Sequence, residues 1–221
     1  MIENIEKNLK KIIETSTKKA AIEEWRNASE KQDAPLYNYR LDHAEEVVNL
    51  VKFIANGTDA NMEVLILSAW LHDLAKPGVG GISTKHHGVR SAELATDVLS
   101  REGVDPNIIH QVAYVIQKHV GLIIEETLTP IEAQILWEAD KILKLGAIGL
   151  FQQILNGVRL FPGESLEGIA NRLREFLPLA EKIAVCMNTE RGKRIAGERL
   201  QHLYSLSEML DSELHIEKEI E

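Results

Sequence analysis

The stretch Ser68-Ala-Trp-Leu-His72-Asp73-Leu-Ala-Lys76-Pro77-Gly78 organises the rest of the chain. It continues an apolar run that begins at Val64, and it places a histidine beside an aspartate where that run ends. Neighbouring residues on a helix point roughly 100° apart, so His72 and Asp73 can converge on one ion only if ligands arrive from other segments. Pro77 and Gly78 are predicted to end the helix and to open space for a substrate.

Apolar residues recur with a period near that of an α-helix through most of the chain, and no convincing alternation of period two is present. This pattern predicts an all-α protein. We predict helices at roughly 3–14, 18–29, 41–55, 62–72, 87–101, 106–119, 131–145 and 147–156, followed by a C-terminal helical pair at 165–187 and 190–214.

The length of 221 residues is sufficient for one domain with a sizeable core. The segment Gly157 to Gly163 is the strongest candidate for a break, but no linker rich in serine, proline or charge marks a boundary there. We therefore expect one helical domain over residues 1–221, in which the C-terminal pair at 165–215 packs on the core.

Composition excludes several classes of protein. The formal net charge of -9 argues against a surface for nucleic-acid polymers, because phosphate contacts need clustered lysine and arginine. No apolar run approaches the roughly 18 residues that a membrane helix needs. Cys186 is the single cysteine, which rules out an internal disulfide framework and fits a reducing cytoplasm. We expect a cytoplasmic protein without membrane contact, and a homo-oligomer is compatible with the sequence.

Two polar residues fall on the apolar faces of their predicted helices. His43 shares a face with Val47 and Val51, and Asp140 shares one with Leu136. A polar imidazole on such a face needs a partner. Burial of a carboxylate without a partner costs several kcal/mol, so Asp140 is expected to be paired or bound to a cation.

His87 and His119 also align with apolar positions and are predicted to face inward. A hydrogen-bonded core residue is the ordinary interpretation of any single inward histidine. Four groups together favour a metal site, and these are His43, His72, Asp73 and Asp140. Imidazole nitrogens and carboxylate oxygens without a thiolate suit Zn, Fe, Mn or Mg.

The order His43, then His72-Asp73, then Asp140 resembles the H…HD…D signature of the HD-domain superfamily of metal-dependent phosphohydrolases, which has an all-helical fold. The likeness extends to an HDxxK form at 72–76, an HxxxSAE segment at 87–93 and an ADxxxxLGxxG segment at 139–149. Together these motifs indicate an HD-type metal-binding core over residues 38–150. The segment from Thr189 to Ala196 also resembles the end of a small bacterial subgroup of that superfamily.

The resemblance implies that His43, His72, Asp73 and Asp140 are the ligands of a divalent metal ion, which the sequence does not identify among Mn, Fe, Mg, Co, Ni and Zn. In members with two ions, two further histidines join and the aspartate of the HD pair bridges both ions. His87 and His119 stand at the matching places, where they either hold a second ion or bind the substrate phosphate. The spacing to Ser91 favours His87 over its neighbour His86.

The function implied is hydrolysis of a small phosphorylated metabolite, for example a nucleotide, by a metal-activated water that Asp73 positions or deprotonates. Lys76 and Arg40 are predicted to neutralise the phosphate, and Arg90 is a third candidate for that role. Two alternatives stay open. One is a diiron oxygenase on the same fold, which needs both His87 and His119 as ligands. The other is a metal-containing sensing module that does not turn over.

Overall fold

The computed structural model describes residues 2–26, 35–76 and 86–215. Within these ranges every regular element is a helix, so the prediction of an all-α protein is confirmed. The helices are α1 (Ile2–Glu24), α2 (Tyr39–Ala55), α3 (Met62–Leu71), α4 (His87–Arg101), α5 (Pro106–Lys118), α6 (Ile131–Ile142), α7 (Gly146–Leu160), α8 (Leu166–Val185) and α9 (Glu190–Leu214). The predicted break at Pro77-Gly78 lies outside the described residues.

The N-terminal segment forms one helix where the sequence predicted two, so that prediction was wrong. α1 runs without interruption through Thr15, Ser16 and Thr17. The Thr17 hydroxyl donates to the Ile13 carbonyl at 2.7 Å, and Ser16 donates to the same carbonyl at 3.1 Å. Because these hydroxyls bond back to a carbonyl one turn earlier, the polar triplet is satisfied inside the helix and does not break it.

The chain divides into two compact units. The first comprises Met1–Gly121 with Glu126–Asp140, and the second comprises Leu122–Glu125 with Lys141–Glu221. The division falls inside α6 and not in the segment from Gly157 to Gly163. The single domain over residues 1–221 stays a prediction.

In the first unit α3 is the central helix, and it packs against α1, α2, α4 and α5. Asn61 caps its start by accepting the backbone N–H groups of Glu63 and Val64 at 3.0 and 3.3 Å. Every residue from Val64 to Leu71 is buried. His72 keeps helical backbone angles at the end of the helix, and the chain then turns through residues 72–75. A helix that is buried from Val64 onwards therefore delivers His72 and Asp73 into the interior of the unit.

In the second unit α7 and α8 both pack against α9. Ser165 and Thr189 cap α8 and α9 by accepting backbone N–H groups at 3.1 and 2.9 Å. These two helices correspond to the predicted C-terminal pair. In the described part of the chain, no helix combines the length and the apolar character that crossing a membrane requires.

Candidate metal centre

Four side chains predicted as ligands of one ion lie together in the first unit. His43 Nε2 is 3.3 Å from His72 Nε2 and 3.2 Å from Asp140 Oδ1. Asp73 Oδ2 is 3.5 Å from His72 Nε2 and 3.8 Å from His43 Nε2. His43, His72 and Asp140 are only 7%, 0% and 3% exposed. α2, the turn after α3, and α6 thus each bring a ligand to one buried point.

His87 and His119 approach the same aspartate from its other oxygen. Asp73 Oδ1 lies 3.4 Å from the Nε2 atom of each histidine, and the two Nε2 atoms are 3.2 Å apart. His86 is exposed at the start of α4, so His87 is the residue of this pair that faces the cluster. Asp73 therefore offers one carboxylate oxygen to each of two imidazole pairs.

The protonation of His72 follows from its hydrogen bonds. Its Nδ1 is 2.8 Å from the Ala69 carbonyl, and a carbonyl only accepts, so Nδ1 carries the proton. Burial, with smaller effects of neighbouring charges, lowers the pKa of His72 to about 3. The imidazole is therefore neutral, and the lone pair of Nε2 points into the cluster. His119 makes the equivalent Nδ1 contact with the Ile116 carbonyl at 2.5 Å. A backbone carbonyl that fixes the tautomer in this way is typical of metal-binding histidines.

Asp73 and Lys76 are both charged in this environment. Burial would raise the pKa of the Asp73 carboxyl, but the Lys76 ammonium and the nearby histidines hold that pKa well below its usual range. Burial would lower the pKa of Lys76, but Asp73 and Asp140 raise it above its usual value. Lys76 Nζ lies 2.6 Å from Asp73 Oδ2. The predicted phosphate-binding lysine is thus paired with the central carboxylate.

The donor atoms fit a divalent cation. Three sets of ligand atoms lie within 4.8 Å of one another: His43, His72 and Asp73; His72, His119 and Asp140; and Asp73, His87 and His119. The Nε2 lone pair of His72 faces carboxylate oxygens, which are also acceptors. A cation between them would replace this repulsion with attraction. Nitrogen and carboxylate donors without a thiolate are suited to several divalent metals, and they do not distinguish among them.

The chain matches the family model of the HD domain over residues 40–145. This range contains all six residues of the cluster. The chain contains an HD domain. The resemblance carried by the order His43, His72-Asp73 and Asp140 is thereby confirmed, and the HD domain comprises most of α2 together with α3 to α6.

Solved structures of bacterial proteins share the fold of this HD-domain protein. An HD-superfamily hydrolase from Bacillus thuringiensis is 16% identical with a TM-score of 0.67, over 97% of this chain and 98% of that one. The Lin1889 protein from Listeria innocua is 17% identical with a TM-score of 0.63, over 97% of both chains. YpgQ from Bacillus subtilis in complex with ADP is 18% identical with a TM-score of 0.61, over 79% of this chain and 89% of that one. At these identities the likeness shows the fold alone.

The HD-domain protein also resembles part of the tRNA (cytidine(56)-2'-O)-methyltransferase of Thermoplasma volcanium. The two are 29% identical over 84 residues. The match spans 38% of this chain and 22% of the length of that relative. Because the match is partial, it gives no ground for assigning the methyltransferase activity to this chain.

Arg40 has a partner that the sequence did not indicate. It makes two hydrogen bonds to the Glu24 carboxylate, at 2.8 and 2.5 Å, and its guanidinium lies over the Tyr39 ring at 4.7 Å. A phosphate would have to compete with Glu24 for this arginine, and the phosphate-binding role of Arg40 stays a prediction. Arg90 is exposed and pairs with Glu93 at 2.8 Å, on the surface of α4.

One wall of the site had no counterpart in the sequence patterns. A cavity of about 70 Å³ opens beside His43, His72, Asp73 and Lys76. α1, which precedes the HD domain, also lines this cavity through Ile13, Ser16, Thr17 and Ala20. Small and hydroxyl-bearing residues on a helix are equally common in ordinary helix contacts, so their spacing alone does not indicate a binding site.

Proposed function

We propose that this HD-domain protein is a metal-dependent phosphohydrolase that releases phosphate from a small phosphorylated metabolite, with nucleotides as the preferred class. The observation that carries the proposal is the position of Asp73. One oxygen faces His43 and His72, and the other faces His87 and His119. A carboxylate between two imidazole pairs is suited to holding two divalent ions, which in phosphate transfer would stabilise both the attacking and the leaving oxygen.

Hydrolysis of a phosphate ester joins a water oxygen to phosphorus and breaks the bond from phosphorus to the alcohol oxygen, which leaves with a proton. A divalent ion in this cluster would lower the pKa of water and polarise a phosphoryl oxygen. His43, His72, Asp73 and Asp140 would hold that ion through imidazole nitrogens and carboxylate oxygens that already lie close together. In this proposal Asp73 also positions the attacking water.

Lys76 is placed to neutralise the substrate phosphate. Its side chain is 29% exposed, it lines the cavity, and its ammonium contacts Asp73. An ammonium forms strong charge-assisted hydrogen bonds with phosphate oxygens. We infer that Lys76 turns from Asp73 towards the phosphate when substrate enters.

Two observations support a small substrate. The cluster is buried, and the cavity of about 70 Å³ is suited to part of a small molecule rather than to a polymer. The fold is shared with YpgQ, whose crystal structure contains ADP, and this supports the nucleotide class.

The proposal is tested by metal analysis of the purified chain followed by assays of phosphate release. Nucleoside mono- and diphosphates and sugar phosphates are each incubated with Mn²⁺, Mg²⁺, Co²⁺ or Fe²⁺. We expect metal-dependent release from at least one nucleotide. If no substrate releases phosphate with any metal, the proposed reaction is wrong.

A diiron oxygenase is the second candidate, and one observation favours it. Asp73, His87 and His119 form a second set of ligand atoms, which the oxygenase interpretation requires. The same donor atoms suit iron. Stoichiometric iron in the purified protein together with oxygen consumption on a candidate substrate would favour the oxygenase. Phosphate release with redox-inert Mg²⁺ would exclude the need for iron.

A further inference from the structure

The lining of the cavity beside the metal cluster contains two chemically different groups of residues. His43, His72, Asp73 and Lys76 form the charged and metal-binding group. The remainder is mainly apolar, with a few hydroxyl groups, and its residues are Ile13, Ser16, Thr17, Ala20, Tyr39, Ala44, Trp70 and Leu74, together with Arg40. A phosphate at the cluster would leave the rest of the molecule to contact the apolar part of the lining.

α1 is held firmly in place as part of this cavity. The Glu6 carboxylate accepts from the Lys52 ammonium at 2.7 Å and from the indole N–H of Trp70 at 3.2 Å. Further along the helix, Glu24 pairs with Arg40 from α2. Because α1 is tied to α2 and α3 near both of its ends, the wall between those ties is preorganised for a ligand.

The lining selects for an uncharged group. Burial raises the pKa of the Tyr39 phenol, so this hydroxyl stays protonated and can donate or accept a hydrogen bond. The two cations of the lining, Arg40 and Lys76, are paired with Glu24 and Asp73. A second charge on the ligand would lose its hydration there, whereas a ring with apolar faces and polar edges would not.

Ser16 and Ala20 lie one turn apart on α1 and both line the cavity. Each has a small side chain, so space remains between the helix and the metal cluster. A leucine at either position would occupy that space. Lys19 lies on the exposed part of α1 and lines a separate surface depression, so a leucine there leaves the cavity unchanged.

We propose that α1 is the specificity wall of the active site. It recognises the uncharged ring system of the substrate, and Ser16 and Ala20 limit the size of that group. This inference rests on the proposed function, because it takes the metal cluster to be the phosphate end of the site. α1 lies before the residues matched by the HD domain, so recognition would be supplied from outside the family core.

The test compares two ligands that cannot be hydrolysed. One is the phosphonate analogue of AMP, in which a methylene group replaces the ester oxygen, and the other is methylphosphonate, which has no nucleoside. Binding of each to the full Mn²⁺-loaded chain is measured by calorimetry. We expect the wild type to bind the AMP analogue at least about tenfold more tightly than methylphosphonate.

Ala20→Leu and Ser16→Leu are each expected to weaken binding of the AMP analogue at least about tenfold and to change methylphosphonate binding less than about twofold. The control Lys19→Leu should change neither. Ser16 is exposed, so it should accept leucine without loss of folding. Ser16→Leu therefore still tests the proposal if Ala20→Leu is unstable.

The proposal that α1 is a specificity wall would be overturned if the leucine variants lost equal affinity for both ligands. It would also be overturned if they lost affinity for neither. A wild type that binds both ligands equally would overturn it too. These outcomes leave the proposed function standing. If the wild type binds neither ligand, the proposed phosphate site itself is wrong, and the two failures are thereby distinguished.

Discussion

Lys76 Nζ lies 2.6 Å from Asp73 Oδ2, the same oxygen that faces His43 and His72. The ammonium and the predicted metal ion therefore share one carboxylate. In the proposed function Lys76 binds the substrate phosphate and is not a metal ligand, so we expect metal retention not to depend on it.

Lys76→Met should keep the metal content of the wild type and lower kcat/KM for phosphate release by about 10- to 100-fold, because the phosphate charge is no longer neutralised. Lys193→Met, on the surface of α9, is the control. Metal analysis and steady-state kinetics measure the two effects. Unchanged activity in Lys76→Met would remove this lysine from the proposed site.

His72→Ala and Asp140→Asn should each lose bound metal and reduce activity by at least about 100-fold, since the first removes an imidazole ligand and the second removes the negative charge of a carboxylate ligand. His110→Ala and Asp97→Asn are matched controls, because both residues are exposed on helices of the same unit. Retention of metal and activity by either site variant would show that the cluster is not the metal centre.

His87→Ala and His119→Ala should each reduce the metal content of the chain from two ions to one, because each leaves Asp73 Oδ1 with a single imidazole. Elemental analysis after dialysis measures the stoichiometry. A wild type that holds one ion would instead assign these histidines to the substrate phosphate. In that case both variants would raise KM and leave the metal content unchanged.

Glu24→Ala should lower the free energy of unfolding by about 3 kcal/mol, because it removes one partner of a buried ion pair. The side chains of Arg40 and Glu24 are only 9% and 4% exposed. Glu93→Ala breaks the exposed pair with Arg90 and should cost less than about 1 kcal/mol. Urea denaturation of both variants measures the free energy of unfolding. An equal decrease in the two variants would contradict the buried pairing of Arg40 with Glu24.

Gly149→Ala should destabilise the chain by about 1 to 3 kcal/mol, because the added Cβ would lie 2.3 Å from the backbone oxygen of Lys144. Gly197→Ala, in α9, meets nothing within 4 Å and should be neutral or stabilising by up to about 1 kcal/mol. Thermal unfolding compares the two variants. Equal stability would show that the Gly149 backbone can shift to accept a side chain.

The helices from α2 to α6 were predictable because their signals are local. The apolar period marks each helix over a few residues. Asn56-Gly57 signals the end of α2, and Asp105-Pro106 signals the start of α5. The break predicted in α1 failed for a local reason as well. The apolar pattern predicted separate helices at 3–14 and 18–29, and only the bonds of the hydroxyl side chains at 15–17 to the preceding helical carbonyls show that these residues belong inside one helix.

The candidate site was predictable in its membership but not in its arrangement. Buried polar residues such as His43 and Asp140 are conspicuous on apolar faces, so sequence periodicity finds them. Which oxygen of Asp73 faces which histidine depends on how α2, α3, α4 and α5 pack together, because these helices and the turns that follow α3 and α5 carry the residues. The pairing of Arg40 with Glu24 was missed for the same reason, since no local rule joins residues 16 positions apart on different helices.

The sequence by itself determined the helical class, the family and the order of the six metal-cluster residues, because these depend on period and spacing along the chain. Only the tertiary structure decided that Asp73 stands between two imidazole pairs, that Arg40 is committed to Glu24, and that α1 closes the cavity. These are contacts between distant segments, and they are set by which apolar faces bury one another rather than by any neighbouring residue.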